Sequence, residues 1–274
     1  MKKLVATVGG GSGGSRASTE LGRLGVSLLI IDRPGECLEE HNLLRHELDY
    51  RSLGKPKTAE LASHIRNYNP DVQISVADCD VTLEPARFES LILSPRVDLI
   101  LGCTDNQASH HAINATAVRH NIPVVGAGVY DGGVGGYVYR TRRLEACYAC
   151  IADHLNLRAE TKDNGATIDY SNLDLDGLRS TRALNLDIAQ IALIQARMAL
   201  QVLLGNETNL TGLPPEVNLI IFANRTHPKA FARPLHASFH VIPRNPACLI
   251  CGNPQAGGIA TEADAIFRSI NSAA

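Results

Sequence analysis

Short apolar runs alternate with helix-length segments along the first half of the chain. Runs of strand length occur at 4–8, 26–31, 72–76, 97–101, 122–126 and 136–139. Segments with the length and composition of helices lie between them, at 17–24, 57–68, 85–93 and 107–120. Strands that alternate with helices are typical of a parallel sheet with helices on both faces. The pattern therefore predicts an α/β fold built on a Rossmann-like, doubly wound and mostly parallel sheet.

The second half of the chain has a different pattern. Residues 153–179 are polar and interrupted by glycines, which favours a mobile crossover segment. A strongly apolar helix is predicted at 183–204. The remaining predicted elements are two late strands, expected to be antiparallel, and a final helix, at 217–222, 237–242 and 262–270.

Composition adds the size of the domain and excludes some partners. The chain has 274 residues, 45% hydrophobic and 20% charged, which suits one domain over 1–274 with halves at 1–145 and 146–274. The formal charge of -2 gives no reason to expect nucleic acid or an anionic membrane as a partner. No stretch approaches the roughly 20 continuous apolar residues of a membrane span, and 1–3 lead into a strand rather than a signal peptide. We therefore expect a cytoplasmic protein.

A glycine-rich turn follows the first predicted strand. Gly9-Gly10-Gly11-Ser12-Gly13-Gly14 fits the pattern Gly-x-Gly-x-x-Gly between a strand and a helix, and Asp32 ends the second strand. Glycines at Gly9, Gly11 and Gly14 let the backbone approach phosphates closely, while the helix N-terminus supplies N–H donors. Asp32 can accept hydrogen bonds from ribose hydroxyls. The pattern predicts that 1–145 is a nucleotide-binding half; the alternative is a tight turn without a ligand.

A second set of polar residues is not typical of dehydrogenases. It consists of Asn42-Leu43-Leu44-Arg45, Gly54-Lys55-Pro56-Lys57 and Cys103-Thr104-Asp105-Asn106. Arg45 and Lys57 can neutralise the phosphates of a triphosphate, and Asp105 at a strand end can hold Mg²⁺. Together they favour a site for ATP and Mg²⁺. Taken singly, Arg45 and Lys57 also fit solvated charges, and Asp105 fits a helix cap.

Four of the seven cysteines form two Cys-x-x-Cys pairs. They are Cys147 with Cys150 and Cys248 with Cys251. Four thiolates suit tetrahedral Zn²⁺, and a set of four ligands indicates a closed structural site that ties the C-terminal strands to the sheet. In a reducing compartment this spacing favours metal over disulfides. The alternative is unmetallated buried cysteines or a redox pair.

With Asn69-Pro70, these motifs resemble those of the ThiF/MoeB/HesA family, the bacterial relatives of the adenylation domain of ubiquitin-activating enzymes. The resemblance covers nearly the whole chain. It implies that Arg45 and Lys57 bind ATP phosphates and that Asp105 coordinates Mg²⁺. It also implies that Asn42 and Asn106 help to complete the nucleotide site and that Asp32 binds the ribose.

The family resemblance also implies an activity and partners. The expected enzyme uses ATP to adenylate the C-terminal glycine of a small ubiquitin-like or sulfur-carrier protein, which gives an acyl-adenylate and pyrophosphate. The tail of that partner is expected to lie along 126–136, under the crossover segment. A homodimer is expected, with a conjugating enzyme or a sulfurtransferase as a further partner.

The chain departs from the family pattern around the ribose and metal positions. The segment between Asp32 and Asn42 is longer than in the family, and Glu36 takes the nearer of two acidic positions. His110 and His111 stand where many relatives have an arginine, and polar histidines on a helix face are the simpler interpretation. The ribose position is therefore less firmly predicted than the phosphate positions.

The segment that carries a thioester-forming cysteine in many relatives has none here. Between 146 and 247 the cysteines are Cys147 and Cys150, both assigned to zinc. We therefore expect adenylation without a thioester on the usual crossover cysteine. Relatives also give an arginine, from a helix ahead of the first strand, to the ATP site of the partner subunit. Either Arg16 takes that role here, or these 274 residues are the adenylation part of a longer or paired system.

Two other functions stay open at this point. The first strand, helix and strand cannot by themselves distinguish ATP from a dinucleotide, so an NAD-dependent oxidoreductase is the main enzymatic alternative. A degenerate, non-catalytic module that binds a ubiquitin-like protein is the second. Arg45, Lys57 and Asp105 argue against both.

Overall fold

Eight strands form one mixed sheet in the computed structural model, which describes residues 3–155, 183–205, 212–228 and 230–252. In chain order they are β1 Leu4–Val8, β2 Ser27–Asp32, β3 Ile74–Asp78, β4 Leu99–Gly102, β5 Val124–Val129, β6 Gly135–Thr141, β7 Leu219–Ala223 and β8 His236–His240. The order across the sheet is β3-β2-β1-β4-β5-β6-β7-β8. Neighbours from β3 to β5 are parallel, whereas β6, β7 and β8 each run antiparallel to the strand before them. The predicted fold class is confirmed.

Helices cover both faces of this sheet. In the described part of the chain they are α1 Ser12–Arg23, α2 Lys57–Arg66, α3 Pro85–Leu93, α4 Gln107–His120, α5 Tyr148–His154 and α6 Asn185–Leu204. Helices α1, α2 and α6 pack on one face, while α3, α4 and α5 pack on the other. Such two-sided cover is the rule for parallel strands joined by helical crossovers.

Strand β1 shows how the two faces divide the core. Its side chains alternate, so Val5 joins Leu21 of α1 in one apolar cluster, while Val8 joins Phe88 and Ile113 in the other. All of these side chains are buried. Both faces of the central strands are therefore apolar, which is why their sequences read as continuous hydrophobic runs.

Helix α6 is 20 residues long and, within the described ranges, the one helix whose length and composition alone would allow it to cross a membrane. It packs along α1 and against β5 and β6. Ile191, Ala192 and Ala199 of α6 are buried in the core of that face. Its apolar composition is thus matched by its position on the sheet.

The predicted and observed elements differ mainly at their ends. The first helix begins at Ser12 rather than 17, because the second half of the glycine-rich turn is itself helical. Helix α5, at the start of the second half of the chain, was not predicted, since its seven residues are too few to show a period. Most of the crossover segment at 153–179 and the final helix at 262–270 lie outside the described residues.

Two glycines of the turn give a matched pair of substitutions. A Cβ atom on Gly14 would overlap the carbonyl oxygen of Gly9, whereas a Cβ on Gly11 would meet no described atom within 4 Å. We expect Gly14→Ala to lower the free energy of unfolding by about 3 kcal/mol, because the clash is with backbone, and Gly11→Ala to change it by less than about 0.5 kcal/mol. Chemical denaturation measures both. Equal losses would contradict this account of the turn.

Candidate active site

The glycine-rich turn joins β1 to α1 at the carboxyl edge, the edge of the sheet where the parallel strands end. Gly9 has a φ of 98°, a conformation that favours glycine, and a Cβ there would lie 2.7 Å from the carbonyl oxygen of Cys103. Gly11 is the N-cap of α1 and brings no side chain to cap it. The first N–H groups of α1 thus remain for an anion, which suits the phosphate role predicted for this turn.

Asp32 lies beside this turn at the end of β2. Its Oδ2 atom accepts a hydrogen bond from the Gly10 N–H at 2.8 Å, and Oδ1 accepts one from the Arg33 N–H at 2.9 Å. Burial raises the pKa of Asp32, and these two backbone hydrogen bonds act in the opposite direction. Each carboxylate oxygen keeps a second lone pair that a ribose hydroxyl could use. The position agrees with the predicted ribose role, which stays a prediction.

Lys57, the first residue of α2, is paired with an acidic residue of the same edge. Its Nζ atom lies 2.7 Å from Oε2 of Glu36, while Nη2 of Arg33 lies 2.6 Å from Oε1. Burial would raise the pKa of Glu36, but the hydrogen bond and charge of Lys57, and then those of Arg33, lower it overall. Only 11% of the Lys57 side chain is exposed. The inserted segment after Asp32 thus supplies two charges to the edge that the motifs alone did not point to.

Asn42 shapes the turn that presents Arg45. Asn42 is buried, and its Oδ1 accepts a hydrogen bond from the Glu39 N–H at 3.0 Å. Its carbonyl oxygen accepts one from the Arg45 N–H at 2.8 Å. Arg45 follows as a half-buried side chain. The structure therefore gives Asn42 a role in holding the backbone, and the nucleotide roles of Asn42 and Arg45 stay predictions.

His46 is a buried neighbour of this site that the motifs did not single out. Its Nδ1 accepts a hydrogen bond from the Leu48 N–H at 3.1 Å, so Nε2 carries the proton and donates to the Gly10 carbonyl oxygen at 2.7 Å. Burial lowers the pKa of His46 to about 4, which keeps the ring neutral at neutral pH. His46 thereby ties the segment of Arg45 to the glycine turn. Its position directly after Arg45 was the available signal.

Arg16 is engaged within its own chain. Its guanidinium lies 2.6 Å from Oε1 of Glu47, a carboxylate that is 9% exposed. This ion pair joins α1 to the segment that follows Arg45. The replacement role considered for Arg16 in a partner's site would compete with that pair.

Asp105 lies in the turn between β4 and α4, at the same carboxyl edge. Its neighbour Asn106 is the N-cap of α4, and the Asn106 Oδ1 atom accepts a hydrogen bond from the Ser109 N–H at 2.8 Å. The cap role that Asp105 could have filled therefore belongs to Asn106, and Asp105 remains exposed. Burial would lower the pKa of Arg33, but the charge of Glu36, and then those of Asp105 and Asp32, raise it overall. Arg33 is thus in contact with the carboxylate of Glu36 and within electrostatic reach of those of Asp105 and Asp32.

Gln195 of α6 forms hydrogen bonds with the backbone of the two neighbouring strands β4 and β5. Its side chain is 1% exposed, and its Nε2 atom donates to the carbonyl oxygens of Gly102 at 2.9 Å and Val125 at 3.1 Å. Gly102 is the last residue of β4, and Val125 is the second residue of β5. Nothing in the sequence pointed to this role, because Gln195 is an amide on a mostly apolar helix.

Two of the glycines in 126–136, the region predicted to bind a partner's tail, pack against tyrosine rings of the neighbouring strand. A Cβ atom on Gly126 would overlap the ring of Tyr139, and one on Gly128 would lie 2.5 Å from the ring of Tyr137. Both pairs face each other across the antiparallel ladder of β5 and β6. Close approach of these rings therefore accounts for two of the glycines in 126–136 without a tail.

The four cysteines of the two pairs meet in one cluster. Their sulfur atoms all lie within 4.8 Å of one another, with 3.7 Å between Cys147 and Cys248 and 3.6 Å between Cys150 and Cys251. Sulfur atoms around a tetrahedral zinc with bonds of about 2.3 Å are about 3.8 Å apart. Burial raises the pKa of Cys150 to about 11, so a cation would be required to hold four thiolates together. The cluster can hold a metal ion.

This cluster joins two parts of the chain that are far apart in sequence. Cys147 is the N-cap of α5, just after β6, and Cys248 and Cys251 follow β8. The Arg244 Nε atom donates to the Cys251 carbonyl oxygen at 2.6 Å. The cluster therefore links the segment after β8 to the beginning of α5, as the predicted tie between the C-terminal strands and the sheet requires.

Two relatives illustrate the similarity in sequence. The chain is 34% identical over 152 residues to the adenylyltransferase and sulfurtransferase UBA4 of Yarrowia lipolytica, which covers 54% of this chain and 36% of that protein. It is 35% identical over 159 residues to ubiquitin-like modifier-activating enzyme 5 of Drosophila ananassae, covering 54% of this chain and 39% of that protein. The match thus spans well under half the length of these relatives.

Solved structures with the same fold extend over more of the chain. Escherichia coli MccB with ATP superposes with a TM-score of 0.65 at 17% identity, covering 91% of this chain and 67% of that chain. The crystal structure of PaaA gives a TM-score of 0.62 at 17% identity, covering 88% of this chain and 73% of that chain. At such identities the likeness concerns the fold.

The sequence profile of the ThiF family matches residues 2–237, which is most of the chain. The match includes the glycine-rich turn, the segments of Arg45 and Lys57, the turn of Asp105 and the first cysteine pair. The resemblance found from the motifs is confirmed, and the chain belongs to the ThiF family.

Proposed function

We propose that this chain is an adenylyltransferase that uses ATP to activate the C-terminal glycine of a ubiquitin-like or sulfur-carrier protein. The observation that carries the proposal is the convergence of Asp32, Lys57 and Asp105 at the carboxyl edge of a ThiF-family sheet, beside the open N-terminus of α1. The names of the relatives, an adenylyltransferase and a ubiquitin-like modifier-activating enzyme, support the same activity.

In the proposed reaction a carboxylate oxygen of the terminal glycine attacks the α-phosphorus of ATP. The new bond joins that oxygen to the α-phosphorus, the bond from the α-phosphorus to the bridging oxygen breaks, and pyrophosphate leaves. The enzyme needs no nucleophile of its own, since positioning and charge neutralisation suffice. Arg45 and Lys57 would neutralise the phosphates, and Asp105 would hold Mg²⁺, which supplies further positive charge at the leaving group.

Glu36 gives this site a feature of its own. The Lys57 ammonium is hydrogen-bonded to Glu36, so a triphosphate must compete with that carboxylate for Lys57. Arg33 holds the other oxygen of Glu36 and keeps part of its charge neutralised when Lys57 turns to the phosphates. The inserted segment would therefore tune how strongly ATP is held.

Adenylation without an enzyme thioester is the second part of the proposal. The residues between 146 and 247 contain two cysteines, and both belong to the four-cysteine cluster. Of the other cysteines, burial raises the pKa of Cys103 to about 12 and that of Cys79 to about 11, which disfavours the thiolate that attack requires. Transfer of the activated glycine would then fall to another protein, such as a conjugating enzyme or a sulfurtransferase.

We also propose that the cysteine cluster holds Zn²⁺, that the protein acts as a homodimer and that it works in the cytoplasm. The sulfur spacing supports zinc, and four neighbouring cysteines outside disulfides favour a reducing compartment. The homodimer is proposed from the family resemblance alone.

The alternatives are less well supported. A lysine at the carboxyl edge, Lys57, and the exposed carboxylate of Asp105 suit a triphosphate with Mg²⁺ better than a dinucleotide, which argues against an NAD-dependent oxidoreductase. A non-catalytic binding module would have no use for these charges. Binding of NAD in place of ATP, or of neither, would favour one of these two functions.

Asp105 gives the direct test of adenylation. We expect Asp105→Asn to lower the rate of ATP–pyrophosphate exchange, measured with small proteins that end in Gly-Gly, by about 100-fold while the fold is kept. Asp71→Asn removes an exposed charge in the turn before β3 and is the control. We expect the wild-type protein to form no thiol-sensitive adduct with the carrier. Exchange by Asp105→Asn at the wild-type rate would contradict the proposed role, and absence of exchange with every carrier would contradict adenylation.

Glu36 and Lys57 should have opposite effects on ATP affinity. Lys57→Met removes a phosphate partner and is expected to weaken ATP binding by about 30-fold. Glu36→Gln removes a competing negative charge and is expected to strengthen it several-fold. Isothermal titration calorimetry with Mg²⁺ present measures both. If both substitutions weakened binding equally, Lys57 would serve mainly as the partner of Glu36.

Metal content tests the cysteine cluster. We expect the purified protein to carry one zinc ion per chain by elemental analysis, and Cys248→Ser to lower both the zinc content and the melting temperature because it removes one of four ligands. Cys37→Ser changes a half-buried cysteine outside the cluster and is the control. Full zinc content in Cys248→Ser would rule out this site.

A further inference from the structure

His110 is a buried histidine in the first turns of α4, close to the turn that carries Asp105. Its side chain is 2% exposed, although its sequence position suits a polar residue on a helix face. Nε2 lies 3.1 Å from the Thr104 carbonyl oxygen, and Nδ1 lies 2.9 Å from the hydroxyl of Tyr139. Both nitrogens are therefore used inside the protein, and His110 is fixed in one orientation.

The position of the proton on this ring follows from its partners. A carbonyl oxygen can only accept a hydrogen bond, so the proton lies on Nε2 and is donated to Thr104. A neutral imidazole has a single N–H group, so Nδ1 accepts a hydrogen bond from the Tyr139 hydroxyl. Burial lowers the pKa of His110 to about 4, which agrees with a neutral ring. Tyr139 thus selects the form of His110 that can hold the Thr104 carbonyl.

Two tyrosine rings enclose His110 and define the His110 cluster, which consists of His110, Tyr139 and Tyr148. The centroid of the Tyr148 ring lies 5.1 Å from that of His110 and 4.7 Å from that of Tyr139. Tyr148 also donates its hydroxyl to the side chain of Gln107, the first residue of α4, and its N–H to Oδ1 of Asn114 at 2.8 Å. Tyr148 directly follows Cys147, so α5 holds the beginning of α4 from the side of the cysteine cluster.

The turn of Asp105 is held on both sides while its own side chain is exposed. On one side the Cys103 N–H donates to the Val8 carbonyl oxygen at 2.8 Å, and His110 holds the Thr104 carbonyl. On the other side Asn106 caps α4. The Asp105 side chain itself receives a hydrogen bond from Asn106 of 3.4 Å, which is long. The direction of the Asp105 carboxylate therefore depends mainly on its backbone.

We propose that His110 is a positioning residue for Asp105, and that Tyr139 and Tyr148 hold it in that role. Its catalytic consequence rests on the proposed function, because the residue it positions is the one expected to bind Mg²⁺. Residues that orient a metal ligand through its surroundings commonly change metal affinity when they are replaced. The loss should therefore concern Mg²⁺ more than the binding of the nucleotide.

His110→Asn and His111→Asn form the matched pair for the test. Both positions lie side by side on α4, but His111 is half-buried and touches the Tyr148 ring without reaching Thr104. We expect His110→Asn to speed hydrogen exchange of the amides at 103–107 in the protein without nucleotide. In the pyrophosphate exchange reaction we expect the Mg²⁺ concentration for half-maximal rate to rise about 10-fold, with a smaller change in the half-saturating ATP concentration at excess Mg²⁺.

A second variant separates positioning from general loss of stability. Tyr139→Phe removes only the hydroxyl that selects the His110 proton, and it should reproduce the faster exchange at 103–107. Phe88→Leu opens the core of the same sheet face at α3 and is expected to lower the melting temperature without either effect. If exchange at 103–107 in His110→Asn matches that in His111→Asn, the proposal is wrong. Because hydrogen exchange needs no substrate, this result stands even if the wild type fails to adenylate any carrier.

Discussion

The close contact between the glycine-rich turn and the end of β4 is the constraint on which the active-site geometry depends. The Cys103 N–H binds the Val8 carbonyl oxygen, and Gly9 has no room for a Cβ atom against the Cys103 carbonyl. This contact brings the N-terminus of α1 and the turn of Asp105 to the same point of the sheet. Helix dipole, backbone donors and a carboxylate can therefore act on one ligand, as binding at the carboxyl edge of such sheets requires.

Acidic and basic side chains lie next to one another around this point of the sheet. Glu36 is ion-paired with both Lys57 and Arg33, and the charges of Asp105 and Asp32 also raise the pKa of Arg33. The pair of Arg33 and Glu36 is partly exposed and contributes little to stability, because water and salt screen it, whereas Lys57 is mostly buried in its pair with Glu36. Under the proposed function, a triphosphate with Mg²⁺ would take the place of Glu36 as the partner of Lys57, so that the lysine would not be left as an unpaired buried charge.

The second half of the chain supports the site from behind. Gln195 of α6 fastens β4 to β5 through two carbonyl oxygens, and the His110 cluster joins the turn of Asp105 to α5. Cys147 is the N-cap of α5, and its partners Cys248 and Cys251 come from the end of the described chain. A small set of buried polar contacts thus connects the cysteine cluster with the site, within a core whose close packing transmits small shifts.

The fold class, the approximate positions of the strands and the four cysteines of the cluster could be predicted from the sequence, because apolar runs and motif spacing are local properties of the chain. The site roles of Asp32, Lys57 and Asp105 stay predictions. The contacts that could not be predicted are the cap of α4 by Asn106 rather than Asp105, the pairing of Lys57 with Glu36, and the hold of His46, His110 and Gln195 on backbone carbonyls at the site. These contacts join residues far apart along the chain. Their physical cause is the need to satisfy buried polar groups, and which groups become buried together is set by packing.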